Sequence, residues 1–298
     1  MTTTSTVQEG RDTLTRSGRV IERWLDESID WSSLPSHLAA AAKYGVLGGG
    51  KRLRPTLVLH SCRAVGGTDS NALAAAGALE LIHCFSLVHD DLPALDNDEL
   101  RRGQSTLHIH SGEAMAILAG DLMLAMAFGI IAKSDAPGDV RAALVDELAG
   151  GTSDMVAGQV YDTLGGLPES LTPLEQVQLV HHNKTGALIR SACRMGGLCG
   201  GATELQMTIL TTYGDAMGLM FQIVDDLLDV TQSAGHVGKA TGKDAAHGKR
   251  TYPGVLGEEA CRTEIDRLRA EAVRATEELG PAGRPLASIA ELMAVRTR

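Results

Sequence analysis

Aromatic side chains make up only 3% of this 298-residue chain, and no Asn-Gly or Asp-Gly pair sits between alternating strand-like runs. Sheet proteins draw on aromatic and β-branched residues separated by such turns, so the shortage argues for helices. Cysteine is scarce and odd in number: Cys62, Cys84, Cys193, Cys199 and Cys261. Without CxxC spacing they exclude a zinc knuckle or a disulfide framework and fit a reducing cytoplasm. Positive charge is in deficit, with a net charge of −10, which disfavours a nucleic-acid binder. The chain opens without a basic start followed by an apolar run, so no secretory leader is expected, and residues 1–10 are expected to fray as a flexible tail. No Pro/Ser-rich linker divides the sequence, and one domain over 1–298 is the expectation. The longest apolar stretch, residues 114–132, carries Asp121 near its middle, where a bilayer would impose about 3 kcal/mol. A buried core helix of a protein without a membrane span is expected there.

What is present is helical periodicity at 11–29, 36–46, 55–65, 70–91, 112–132, 138–164, 173–200, 203–231 and 258–278, with Gly or Pro at most junctions. Two polar, glycine-bearing loops stand out, 96–106 and 232–254, and such loops often carry function.

Ahead of each loop lies a cluster of carboxylates in an apolar segment: FSLVHDDLPALD at 85–96 and FQIVDDLLD at 221–229. Burying such groups is costly unless cations neutralise them. On a helix, Asp225, Asp226 and Asp229 fall within about 100° of arc and point at one ion. Pro93 stops the earlier helix, so Asp90 and Asp91 end it and Asp96 returns on the loop. Carboxylates alone suit a hard cation, and Mg²⁺ favours a few carboxylates completed by phosphate oxygens and water. A phosphate or diphosphate substrate follows. Basic residues stand nearby as anion clamps: Lys51, Arg52 and Arg54 after a triple glycine, Arg101 and Arg102, Lys184, and Lys239, Lys243 and Lys249. The triple glycine is no nucleotide P-loop, because Arg52 stands where Ser or Thr is required and no strand precedes it.

In order along the chain run Gly49-Gly50-Lys51-Arg52-Leu53-Arg54-Pro55, a DDxxxxD at Asp90, Asp91 and Asp96, Arg101-Arg102-Gly103, Lys184-Thr185-Gly186, Phe221-Gln222, a DDxxD at Asp225, Asp226 and Asp229, and Lys249-Arg250-Thr251-Tyr252-Pro253. With these the chain resembles the trans-isoprenyl diphosphate synthases over nearly its whole length, and among them the short-chain bacterial farnesyl diphosphate synthases. The resemblance implies an all-α bundle around a deep central cavity, a homodimer, and three Mg²⁺ ions, with Mn²⁺ as a substitute. By the same resemblance, Asp90, Asp91, Asp96, Asp225, Asp226 and Asp229 form the metal set. Arg101, Lys184, Lys239 and Lys249 grip the allylic diphosphate, and Thr185 and Gln222 flank its reactive carbon. Isopentenyl diphosphate would bind at Lys51, Arg54, His83 and Arg102, with the backbone near Gly50. Lys184, Thr185, Gln222, Asp90 and Asp225 are the residues expected to act in catalysis. The implied reaction ionises the allylic C–O bond, adds the isopentenyl double bond to the cation and loses a proton. Phe85, about one and a half helical turns below Asp90, is expected to floor the cavity at farnesyl length, with the small Ser86 beside it leaving room for geranylgeranyl diphosphate as the alternative.

Gln159 and Asp162 are second-rank candidates, and Arg296 and Arg298 would cover the isopentenyl site or fray. Three rival functions fit parts of the sequence. A terpene cyclase shares the metal chemistry but does not need Lys51, Arg54 and Arg102. An HD-type metal phosphohydrolase built on His60, His89 and Asp90 leaves the second aspartate cluster and the lysines unexplained. A regulatory prenyltransferase subunit would be expected to have lost one cluster, and both are complete.

Overall fold

The computed structural model describes residues 3–235 and 250–295. The chain runs through α1 (Thr3–Ser28), α2 (Ser36–Leu47), α3 (Leu53–Ala64), α4 (Asp69–Asp90), β1 (Leu100–Arg101), β2 (Gln104–Ser105), α5 (Leu107–Ser111), α6 (Glu113–Ala132), α7 (Gly138–Thr163) and α8 (Pro173–His181). It continues through a π-helical segment (His182–Gly186), α9 (Ala187–Gly200), α10 (Glu204–Gly235), α11 (Tyr252–Leu256), α12 (Glu258–Glu277) and α13 (Arg284–Ala294). The fold is all-α. The two short strands form an antiparallel hairpin that pairs Leu100 with Ser105 and Arg101 with Gln104, inside the stretch 96–106 that reads as a plain loop in sequence.

Helix starts follow local chemistry. Thr172 accepts a bond from the Glu175 amide while Glu175 reaches back to the Thr172 amide, a capping box before Pro173. Thr68 and Asn71 form a similar box at the start of α4. Helix α9 packs against α3, α4, α7 and α10, and so lies at the centre of the bundle. One buried apolar cluster reaches from Ile21 to Ala294.

Two expectations need correction. The segment expected to fray at 1–10 is helical from Thr3, because α1 packs along α13 and Glu9 pairs with Arg284 at 2.8 Å. Second, α6 is apolar but only a third buried, with Ile117 and Leu118 at 45% and 55% exposure, so it is not the buried core helix that was expected. By length and composition α4 and α6 would each be able to cross a bilayer, although two-thirds of α4 is inside the bundle. A cavity of about 1300 Å³ lined by Trp24, Leu73, Met126 and Ile130 opens at the start of α4. It contains none of the predicted site residues, and at 1.5 Å per residue it lies about 25 Å along α4 from Asp90.

Candidate active site

Helix α4 ends at Asp90, and Asp91 caps it, as Pro93 predicts. The loop then folds back, and the Asp96 amide donates to the Asp90 carbonyl at 2.9 Å. This return brings two carboxylates close together. Burial pushes the Asp90 carboxyl up to about 6; Asp96 adds to the shift, and Lys184 opposes it. A crowded, desolvated carboxylate pair of this kind suits a cation.

The second aspartate of each cluster is committed elsewhere. Asp91 is buried and takes a forked contact from Arg101, whose Nε and Nη2 lie 2.6–2.9 Å from its oxygens. Asp226 is buried too, accepting from Gln222 Nε2 at 3.0 Å and from the Tyr252 amide at 3.0 Å. His181 lies 3.6 Å from Asp226 and stacks on Tyr252. The expectation that Asp225, Asp226 and Asp229 all point at one ion therefore fails for Asp226. The 100° step from Asp225 turns it toward α8 and α11. Asp229 is exposed on the same helix. Among the described residues no three His, Cys, Asp or Glu side chains converge on one point. A metal here would be held by Asp90, Asp96 and Asp225 singly or in pairs, with phosphate oxygens and water completing its shell.

Lys184 and Thr185 sit on the π-helical segment, an extra residue of winding of the kind often found at functional sites. Gly158 of α7 makes room for it: a Cβ there would overlap the Lys184 amide nitrogen and stand 2.6 Å from the Lys184 Cα. The Lys184 ammonium bonds Asp162 Oδ2 at 2.6 Å, which gives Asp162 a place in the site. Thr185 Oγ1 donates to Gln222 Oε1 at 2.8 Å, so a chain runs from Thr185 through Gln222 and Asp226 to the Tyr252 backbone. Both polar atoms of the Gln159 amide are buried without a protein partner.

The glycine loop and the β-hairpin build a second, cationic patch. The guanidinium of Arg102 donates to the Gly49 carbonyl and lies where a Gly50 Cβ would be, so a side chain at position 50 would displace it as well as strain the backbone at φ +129°. Arg54 Nη1 donates to His83 Nε2 at 3.2 Å, which leaves the imidazole proton on Nδ1. Burial, then Arg54 and Arg102, hold His83 well below its ordinary range, so the ring is neutral. Burial likewise lowers Arg54, while Glu80 and then Asp225 favour its charge, which places the second aspartate cluster near this patch. Arg54 Nε is buried without a partner. Lys51 is exposed at the edge of the patch. Arg52, grouped in sequence with the anion clamps, is instead buried against Glu80 and faces away from the site. Phe85 is buried one face below, edge-on to His89, and Ser86 Oγ donates to the His83 carbonyl at 2.9 Å. Lys239, Lys243, Lys249, Arg296 and Arg298 lie outside the described residues.

A family model described as polyprenyl synthetase matches residues 35–280. The chain belongs to that family. As a member it is a trans-prenyltransferase, and the motif resemblance holds. Relatives include geranylgeranyl pyrophosphate synthase 11, chloroplastic, of Arabidopsis thaliana, 42% identical over 88% of this chain and 75% of the relative. The chloroplastic geranylgeranyl pyrophosphate synthase of Capsicum annuum is 42% identical over 93% of this chain and 76% of its own. Among solved structures, an FPP/GFPP synthase from Zymomonas mobilis superposes with a TM-score of 0.84 at 32% identity, covering 95% of this chain and 98% of that one. A geranyltransferase from Legionella pneumophila gives 0.85 at 29%, covering 98% and 99%.

His181 and the Tyr252 amide were missed as supports of the second cluster. Tyr252 falls inside the quoted 249–253 motif, but a backbone donor leaves no residue-type signal, and nothing marked His181.

Proposed function

We propose that the protein condenses isopentenyl diphosphate with an allylic diphosphate, dimethylallyl or geranyl, releasing diphosphate. The observation that carries this reading is the pairing of two unlike sites: crowded carboxylates at Asp90 and Asp96, and a cationic patch of Arg54 and Arg102 around a neutral His83. Mg²⁺ at Asp90, Asp96 and Asp225 would supply the positive charge that lets the allylic diphosphate leave. Lys184, steered by Asp162, adds a further positive charge at the departing oxygens. Thr185 and Gln222, fixed to each other, present oxygen atoms to the developing allylic cation. Arg54, Arg102 and Lys51 grip isopentenyl diphosphate with its double bond toward that carbon. Proton loss to the released diphosphate then completes the product, and the apolar wall around Phe85 keeps water from the cation.

For product length, the names of the plant relatives favour geranylgeranyl diphosphate over the farnesyl diphosphate expected from sequence. Phe85, buried below Asp90, is the observation that supports farnesyl diphosphate. A cytoplasmic setting and a homodimer belong to the same proposal. Five unpaired cysteines support the first and the exposed apolar face of α6 the second. The test is incubation of purified protein with Mg²⁺, labelled isopentenyl diphosphate and each allylic starter, followed by chromatography of the dephosphorylated products. Farnesol or geranylgeraniol supports the condensation and decides its length. Metal-dependent loss of diphosphate from the allylic starter alone would replace condensation with cyclase chemistry.

A further inference from the structure

Arg52 stands between Lys51 and Arg54 in the basic stretch after the triple glycine, yet its side chain is only 1% exposed. It is spent inside the protein: Nη1 bonds Glu80 Oε1 at 2.6 Å, Nε bonds Glu22 Oε1 at 3.2 Å, and Nη2 bonds the Val46 carbonyl at 2.7 Å. These partners belong to α4, α1 and α2, so one guanidinium ties three helices to the loop that opens α3. The backbone at Arg52 is left-handed, φ 49° and ψ 36°, a conformation that costs a non-glycine residue of this kind on the order of 1 kcal/mol.

That turn has a directional consequence. Arg52 is the left-handed residue before α3, and Arg54 lies in the first turn of that helix. Arg52 reaches Glu80 and Arg54 reaches His83, so the two arginines of the loop dock side by side on α4. Glu80 and His83 are three residues apart on α4 and share a face. The same turn of α4 thus holds Arg52 through one side chain and Arg54 through the other. A buried ion pair is a poor source of stability, because apolar residues of similar volume often do as well. Its worth here lies in geometry. The second Glu80 oxygen is buried without a partner, so the carboxylate depends on Arg52.

We infer that Arg52 and Glu80 are a positioning pair whose buried contact holds residues 48–54 in the conformation that delivers Lys51 and Arg54 to the isopentenyl diphosphate pocket. Arg52 touches no substrate; it acts through its neighbours. The inference rests on the proposed reading of that pocket.

The test uses full-length Arg52→Met, Glu80→Gln and the double variant Arg52→Met/Glu80→Met, with Tm and both Michaelis constants measured. The single variants should lose Tm, since each leaves a buried polar group uncompensated. The double variant, with no buried charge left, should recover Tm while its KM for isopentenyl diphosphate stays about tenfold or more above wild type and its KM for the allylic substrate stays within about twofold. A double variant that recovers both Tm and KM, or one that shifts both Michaelis constants alike, overturns the inference. If wild type condenses nothing, the proposed reaction fails by itself, and the pair is read instead from metal-free calorimetric titration with inorganic diphosphate. Loss of about tenfold or more in affinity in the double variant upholds the pair. Equal affinity, or no diphosphate binding by wild type, overturns it.

Discussion

Phe85 is buried in the core and meets His89 edge-on, and His89 Nε2 lies 3.1 Å from the Ile117 carbonyl, so α6 braces the ring against which Phe85 rests. Removing the Phe85 ring opens space beneath Asp90 without touching a carboxylate. Phe85→Ala is expected to lengthen the product by one isoprene unit and to lower Tm, since deleting a buried Phe side chain costs about 3–5 kcal/mol. Chromatography of the dephosphorylated products reads the first effect, and an unchanged product would mean that the floor lies elsewhere. A second residue reports on pH. Burial, then Arg63, hold the His60 imidazole down to about 4 from its ordinary 6.5, and Ser17 Oγ lies 3.0 Å from its Nε2. Between those values the unfolded chain binds the proton and the folded chain does not, so stability falls as pH drops, by at most about 1.4 kcal/mol per unit. His60→Gln should lose less Tm than wild type between pH 7 and pH 5 in thermal scans. Equal losses would show that the slope arises at other groups. Side-chain type is what marks Asp90, Asp225 and Lys184 as candidates in the sequence, and the structure sets Asp90 and Lys184 within electrostatic reach of each other. At Arg52 and Asp226 the sequence reading misses the internal partner, Glu80 for the one and the Tyr252 amide for the other, that turns the side chain.

Among elements, the sharpest difference from the sequence reading is the break in 173–200, which periodicity presents as one helix and the structure divides into α8, a π-helical segment and α9. One inserted residue barely disturbs an apolar pattern, yet it rotates everything after it, and Lys184 and Thr185 sit on that insertion. The other misses have tertiary causes. The Thr-rich start of α1 and the Gly/Pro-bounded α13 have weak local signals, and each is ordered by packing on the other. The hairpin at β1 and β2 turns through Arg102 at φ 55° and Gly103 at φ 77°, a pair that local rules for Asn-Gly or Asp-Gly turns do not flag. The π-helical segment depends on Gly158, because α7 has no room for a methyl group against the Lys184 backbone. Gly158→Ala should therefore cost about 1–3 kcal/mol of stability. It should also lower kcat by about tenfold to a hundredfold through displacement of Lys184. Scanning calorimetry and steady-state kinetics check the two effects. A variant with normal kcat would show that the segment tolerates the shift.

For the whole molecule, the unexplained surface lies on α6 and α7. The connection at 133–137 is short, and α6 packs against α7. Ile117 and Leu118 on the one, Val156, Val160 and Leu164 on the other, and Ile109 just before them are all exposed, Leu164 at 76%. Exposed apolar side chains gathered in this way mark an interface. A second copy of the chain is the occupant we expect, because a stable dimer needs about 800 Å² from each partner with an apolar centre. The placement also bears on catalysis. The Ile117 carbonyl lies against His89, the residue before Asp90, so a partner seated on α6 would brace the helix end that carries the first carboxylate. Light scattering on a sizing column should give a dimer for wild type and a monomer for Leu118→Lys/Val160→Lys. The monomer should lose activity at limiting Mg²⁺ more than at saturating Mg²⁺, because Asp90 is then held less firmly. A wild-type monomer that floats with anionic vesicles would assign this face to a membrane instead, whereas a monomeric variant with unchanged Mg²⁺ dependence would keep the dimer and remove its link to Asp90.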